Sequence, residues 1–167
     1  YKRQNTDWPS LAGQNQKYLY DQLGYFVSGE RENALMTAVI PYLKTLSSNE
    51  LLDIAAYYAE SSASVGQADS DANLLALGES LYRSGDLNRG IPACTACHSL
   101  YGEGNVQAGF PKISGQQKGY LVSTLKEYRS QVRNAGNYAL VMQAASANLK
   151  DGDIEALANY MHGLYRK

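Results

Sequence analysis

The sequence is poor in cysteine and carries no excess charge of either sign. Only 2 of its 167 residues are cysteine, too few for a scaffold held by disulfides. Its 15 basic and 16 acidic side chains give a formal charge of −1, so no basic field would gather nucleic-acid phosphates. No apolar run approaches the roughly 20 residues that a transmembrane helix needs. We therefore expect no nucleic-acid partner and no transmembrane segment.

The composition and the hydrophobic periodicity are typical of a folded helical protein. Hydrophobic residues make up 44% of the chain and charged residues 19%. Helical periodicity over 74–84, 119–132 and 153–162 predicts helices, and no alternating run indicates a strand. Leu74, Leu77, Leu81 and Tyr82 would face the core, and Gly78 between them would permit a close helix crossing. The sequence predicts an all-α fold, with Asp151 as the cap of the last helix.

The two cysteines stand in one motif, Cys94-Thr95-Ala96-Cys97-His98. This is the spacing of c-type haem attachment, in which both thiols bond to one haem and the adjacent imidazole binds the iron. A redox-active dithiol needs no following histidine. A zinc site would need further ligands, which only His162 and carboxylates remain to supply. A disulfide across so short a loop would stabilise little. The motif therefore predicts covalent haem c, with Cys94 and Cys97 as its anchors and His98 as one axial ligand.

The second axial ligand has three candidates downstream of the motif. Met161 and His162 lie on a predicted helix, where a methionine usually packs in the core and a terminal histidine is usually solvated. Met142 lies in a less regular stretch, and a loop can bring a thioether across the open haem face. We predict Met142 as the sixth ligand. His/Met ligation closes both axial positions and favours electron transfer over chemistry at the iron.

The chain also repeats itself, which indicates two homologous domains. Residues 8–14 match 110–116 at an offset of 102, and Tyr18 and Arg31 match Tyr120 and Arg133 at the same offset. We predict a first domain over 1–66 and a second over 67–167. The Ser/Ala/Gly-rich stretch 61–71 between the repeats is predicted to be an exposed linker.

The two repeats are unequal at their beginnings. The second has residues 74–109 ahead of its matching element, and the first has only 1–7, with no haem motif. Either the sequence lacks its beginning or the first domain has lost its haem. Met36 lies where an axial methionine is expected, although a methionine there can also be a gap-filling core residue. About 60 residues without a cofactor would fill a core poorly, so we expect a missing N-terminal segment that carries a second haem, with Met36 as its ligand.

These features resemble the two-haem class I cytochromes of the cytochrome c4 type. The resemblance rests on the haem motif and on three further elements: the repeated Pro-x-Leu/Ile-x-Gly-Gln, Gly102-Glu103-Gly104-Asn105 and Ala158-Asn159-Tyr160. It implies two tandem class I cytochrome c domains related by a pseudo-twofold axis, with the haems facing each other across the interface. It also implies that Met142 and Met36 are the axial methionines, and that the carbonyl of Pro111 holds the His98 ring.

The resemblance further implies an electron carrier rather than an enzyme. We expect it in the bacterial periplasm, soluble or peripherally attached to the membrane, because this kind of haem attachment happens outside the cytoplasm. Its partners would be redox proteins such as a quinol–cytochrome c reductase and a terminal oxidase, or a dehydrogenase subunit. The alternatives are a relay subunit of a larger oxidoreductase complex, a haem enzyme or gas sensor with an open sixth position, and a first domain that serves only for docking.

Overall fold

The computed structural model describes residues 5–166, and every regular element in that range is a helix. Two isolated β-bridges join Asp86 to Ile91 and Asn105 to Phe110, and no strand forms among the described residues. The all-α prediction is confirmed. The α-helices are α1 Gln16–Ser28, α2 Ile40–Leu43, α3 Ser48–Glu60, α4 Ala72–Ser84, α5 Thr95–His98, α6 Lys118–Arg129, α7 Ala139–Ser146 and α8 Asp151–Gly163. A 3-10 helix spans Leu87–Arg89.

The first domain is built on the packing of α1 against α3, with the short α2 beside α1. Helix α3 begins at a capping box: Ser47 Oγ accepts a hydrogen bond from the Glu50 N–H, and the Glu50 carboxylate accepts one from the Ser47 N–H. The first domain buries few apolar side chains: Leu19, Phe26, Leu43, Leu51 and Ala55. This domain therefore has a small core between two long helices.

The second domain has a larger core, centred on the crossing of α4 and α8, with α6 also packed on α8. Gly78 makes the crossing possible, because a Cβ there would overlap the backbone carbonyl of Ala156. The predicted role of this glycine is confirmed. The core cluster consists of buried side chains from α4, α6, α8 and the loops between them: Leu81, Tyr82, Ile91, Leu121, Leu125, Leu149, Ile154, Leu157, Ala158, Met161 and Leu164.

Two local predictions for these helices were wrong. Leu77 is 41% exposed, because the face of α4 that meets α8 carries Gly78, Leu81 and Tyr82 instead. The cap of α8 is Lys150 rather than Asp151. The Lys150 N–H donates to the Asp153 carboxylate at 2.7 Å, three residues into the helix, so the carboxylate satisfies the helix end from inside the first turn.

The stretch between the repeats is mostly exposed, as predicted, but α6 and α8 hold it in place. The Asp69 N–H donates to Asn159 Oδ1 at 2.8 Å, and Asn159 Nδ2 donates back to the Asp69 carbonyl at 3.3 Å. The Asp69 carboxylate also pairs with Lys118 at 2.8 Å. Asn159 is fully buried, so its amide is committed to this contact. The connection is thus anchored along the second domain.

The two domains meet through reciprocal hydrogen bonds. Gln14 accepts from the Lys112 N–H at 2.7 Å and donates to the Lys112 carbonyl at 2.8 Å. Gln116 makes the same pair of bonds with Ser10, at 2.7 and 3.0 Å. Because the members of these pairs are related by the offset of the repeat, the two sets of bonds are copies of each other. This is the contact pattern of a pseudo-twofold axis between the domains.

Candidate haem site

The single turn of α5 positions His98 at the centre of the candidate site. The ring is buried, and its Nδ1 lies 3.0 Å from the carbonyl oxygen of Pro111. Because a carbonyl can only accept a hydrogen bond, the proton of a neutral ring lies on Nδ1. The lone pair of Nε2 is then free to bind a metal, and the Pro111 carbonyl fixes both the tautomer and the ring orientation.

Burial sets the protonation of the motif. It lowers the pKa of His98, against the opposing effect of the Pro111 hydrogen bond, so the imidazole is neutral and able to coordinate at neutral pH. Burial also raises the pKa of the Cys94 thiol to about 11. The catalytic cysteine of a redox-active dithiol has a lowered pKa instead. The environment of Cys94 therefore does not support the dithiol alternative.

Two partly buried contacts hold the segment that carries the motif. Arg89 places its guanidinium on the Asp153 carboxylate of α8, with N···O distances of 2.7 and 3.1 Å. The Tyr82 hydroxyl donates to the Ser99 carbonyl at 2.7 Å, directly after His98. Ser99 has a positive φ of 68°, which is unusual for a residue other than glycine. The chain on both sides of the motif is thus tied to α4 and α8.

Met142 lies within α7, and its placement on a loop was wrong. Residues 139–146 have the sequence ALVMQAAS, whose alanine, leucine, methionine and glutamine residues favour helix. The Met142 side chain is partly buried and packs on the same core cluster as Cys94. Between His98 and the start of α7 lies Phe110, whose ring is 6.4 Å from the His98 ring and 4.9 Å from that of Tyr138. The haem motif and α7 are therefore connected in two ways, through the shared core cluster and through the ring of Phe110.

The other sulfur and nitrogen candidates are placed differently. Met161 is 4% exposed inside the core cluster, which agrees with its predicted packing role. The Nδ1 of His162 lies 2.7 Å from the Gln116 carbonyl, so this ring is a packing contact rather than a solvated helix end. Met36 lies in the turn before α2 and is partly buried. Its predicted role as a first-domain haem ligand stays a prediction.

A cluster at the domain interface was not predicted as a unit. The guanidinium of Arg133 donates to the hydroxyls of Tyr18 at 2.9 Å and Tyr120 at 3.3 Å, and Arg31 approaches Tyr120 at 3.4 Å. Burial disfavours ionisation of Tyr120, but the charges of Arg133 and Arg31 outweigh it and lower its pKa to about 7. The repeat contained a signal for this cluster, because its two tyrosines and its two arginines are each related by the offset of 102.

The residues of the site fit a haem c group. Two thiols and a buried neutral imidazole stand within one turn, and a thioether packs on the same core. Among residues 5–166, no three His, Cys, Asp or Glu side chains come together as a metal site, so the zinc alternative gains no support. Helices long and apolar enough to cross a bilayer are also absent from this range.

Comparisons with known proteins agree with this chemistry. The cytochrome c family model matches residues 75–164. Cytochrome c4 of Pseudomonas aeruginosa is 41% identical over 95% of this chain and 77% of its own length. The structure of reduced recombinant cytochrome c4 from Pseudomonas stutzeri superposes with a TM-score of 0.88 at 40% identity, covering 96% of this chain and 87% of that one. The thiosulfate dehydrogenase electron acceptor of Thiomonas intermedia is 34% identical over 92% of this chain and 69% of its own length.

Proposed function

The chain belongs to the cytochrome c4 family, and from this premise we propose that it carries single electrons in the bacterial periplasm. It is a c-type cytochrome with two tandem domains, an electron carrier rather than an enzyme, and its cofactor is haem c. The cellular location and the partners are the proposed part. Support for a periplasmic location comes from the haem attachment motif, because covalent attachment of this kind takes place after export.

The single observation that carries the proposal is the state of His98. Its Nδ1 is bound to the Pro111 carbonyl, and its neighbours in the turn are the two thiols that would anchor the haem. Haem c supplies a one-electron iron couple when bound. Here Cys94 and Cys97 would hold the group, His98 would be the proximal ligand, and Pro111 would orient that ligand.

We assign the distal position to Met142. Its thioether would occupy the sixth position of the iron and raise the reduction potential, which would leave oxygen and small gases no free coordination site. In the first domain we assign the equivalent role to Met36. Support for that assignment comes from its place between Arg31 and α3, the interval of the repeat that holds Met142 in the second domain. The residues beside it, Leu35, Val39 and Tyr42, are apolar and exposed.

The test is an optical titration of the purified holoprotein with carbon monoxide at neutral pH. We expect no binding by the ferrous wild type, and binding together with a lower reduction potential in Met142→Ala. Met161→Leu is the matched control, because it alters a core methionine with little change in volume and should leave the spectrum unchanged. Binding of carbon monoxide by the wild type would contradict the ligand assignment and favour a gas sensor or haem enzyme.

A relay subunit of a dehydrogenase complex is the second candidate. It is favoured by the likeness to a protein named as the electron acceptor of thiosulfate dehydrogenase. A quinol–cytochrome c reductase and a terminal oxidase are the partners of the first candidate. Size-exclusion chromatography of the native protein distinguishes the two candidate functions, because a relay subunit would elute together with its dehydrogenase. Stopped-flow reduction by the thiosulfate dehydrogenase of Thiomonas intermedia would then show whether this donor is accepted.

A further inference from the structure

Arg133 is held from both domains. Its side chain is 6% exposed, and its guanidinium donates to Tyr18 at 2.9 Å and Gln22 at 3.4 Å, both on α1 of the first domain. Within its own domain it donates to Tyr120 and to Thr124, each at 3.3 Å. A buried guanidinium with this many partners is fixed in position, because leaving any of its N–H groups without an acceptor would be costly.

The backbone of the same residue is bound to the helix that carries Met142. The side-chain amide of Gln143 donates to the Arg133 carbonyl at 2.9 Å, and Gln143 is itself buried. Since Gln143 directly follows Met142, this bond contributes to fixing the rotation of α7 about its own axis. Ala139 and Ser146 on the same face of α7 are buried as well, whereas Leu140 is 75% exposed and Val141 is 51% exposed.

The connection between α6 and α7 touches the first domain a second time. Gly136 lies against the Tyr25 ring of α1, so closely that a Cβ at this glycine would overlap the ring. Gln131 earlier in the connection has a positive φ of 63°, a conformation that must be held by contacts elsewhere. The segment leading into α7 is therefore shaped by α1 of the other domain as well as by its own domain.

We infer that Arg133 is a positioning residue through which the first domain holds Met142 in place as the sixth ligand of the second domain's haem. The inference rests on the proposed ligation by Met142. The path runs from the Tyr18 hydroxyl to the Arg133 guanidinium, then from the Arg133 carbonyl to the Gln143 amide and so to α7.

The repeat supplies a matched control in Arg31. This residue is equivalent to Arg133, but its shortest hydrogen bond, 2.6 Å, goes to Gln22, on the same domain. Its contact across the interface, to Tyr120, is 3.4 Å long. Loss of its side chain removes a similar charge from the same interface and leaves the Tyr18–Arg133–Gln143 path in place.

The experiment measures the apparent affinity of the ferric holoprotein for imidazole, which competes with the methionine for the iron. Its apparent affinity scales with the fraction of protein in which Met142 has left. In Gln143→Leu and Arg133→Gln we expect that affinity to rise about tenfold, the effect of losing a buried hydrogen bond. Tyr18→Phe should raise it less, and Arg31→Gln should leave it unchanged.

Tyr18→Phe keeps the inference testable if a variant at Arg133 fails to fold, because it alters only the first domain. A double variant, Tyr18→Phe with Gln143→Leu, should show less than the sum of the two effects if both act along one path. Wild-type affinity in both Gln143→Leu and Tyr18→Phe, with the near-infrared sulfur-to-iron band of the ferric protein intact, would overturn the inference alone. Absence of that band in the wild type would overturn Met142 ligation and the inference with it.

Discussion

The two domains share a repeat but differ in how they bury their apolar side chains. In the second domain, α8 packs between α4 and α6 around a continuous core cluster. In the first, α3 packs on α1, and among residues 5–166 no helix covers α3 as α4 covers α8. Leu35, Tyr42 and Leu52 are accordingly 54%, 64% and 42% exposed. The comparison shows that the segment bearing the haem motif also completes the core of its domain.

Removal of both thioether bonds should reduce this difference in core packing between the domains, and it is the change with the largest expected effect. In Cys94→Ala/Cys97→Ala we expect complete loss of covalent haem and a loosened second domain. The pyridine haemochrome count and chemical denaturation measure the two consequences. Ala96→Ser, an exposed change inside the motif, is the control that should keep its haem. Covalent haem in the double variant would refute the attachment site.

Glycines within α1 and α4 offer a matched test of packing. A Cβ at Gly78 would overlap the Ala156 carbonyl, so Gly78→Ala should destabilise the second domain by about 1–3 kcal/mol or more. A Cβ at Gly24 of α1 would meet no atom within 4 Å, so Gly24→Ala should stabilise by about 0.5–1 kcal/mol through helix propensity. Thermal or denaturant unfolding of the holoprotein measures both. Equal effects at the two positions would contradict the difference in packing.

The caps of α3 and α8 are equivalent in the repeat but differ in burial. Asp153 is buried and pairs with the partly exposed Arg89, whose hydrogen bonds hold the pKa of the carboxyl below its usual value. Glu50 is exposed. Asp153→Asn should therefore raise the unfolding constant about tenfold, the effect of losing charge-assisted hydrogen bonds. Glu50→Gln should change it less.

The carboxyl of Asp153 also determines how the stability of the second domain changes in acid. Because the pKa of Asp153 is lower in the folded state, its stabilisation is fully present above the unfolded value of about 4 and is lost as the pH falls through the folded value. Denaturation curves between neutral pH and the acid range, in wild type and Asp153→Asn, should diverge above pH 4 and converge below it. A difference that stayed constant across this range would rule out the ion pair as its source.

The equivalent tyrosines at the interface should give only a small effect on stability near neutral pH. The arginine charges lower the pKa of Tyr120 to about 7, whereas burial raises that of Tyr18 to about 12. Since the Tyr120 pKa is lower than in the unfolded chain, stability should rise by about 1 kcal/mol between pH 7 and 8 and continue to rise toward pH 10.

An ultraviolet titration checks this difference between the tyrosines. One tyrosinate should form near pH 7 in the wild type and in Tyr18→Phe, and none should form there in Tyr120→Phe. A titration in which no tyrosine ionises below pH 9 would contradict the lowered pKa of Tyr120. It would then not be the Tyr120 phenolate that balances the charges of Arg133 and Arg31.

Much of the fold and the chemistry could be predicted from the sequence because both are encoded locally. The spacing of Cys94, Cys97 and His98 and the helical periodicity of α4 and α8 depend on neighbouring residues only. The placement of Met142 on a loop was wrong because residues 139–146, with their alanine, leucine, methionine and glutamine, favour helix. The path from Tyr18 through Arg133 to Gln143 depends on how two domains meet, which no local pattern contains.

The most direct test of the central claim is the intact mass of this chain, purified after export and haem maturation. We expect the mass of the 18.3 kDa polypeptide plus one haem, which is bonded to the peptide that contains Cys94 and Cys97. A mass equal to that of the bare polypeptide, from a maturation system that loads another c-type cytochrome, would contradict it.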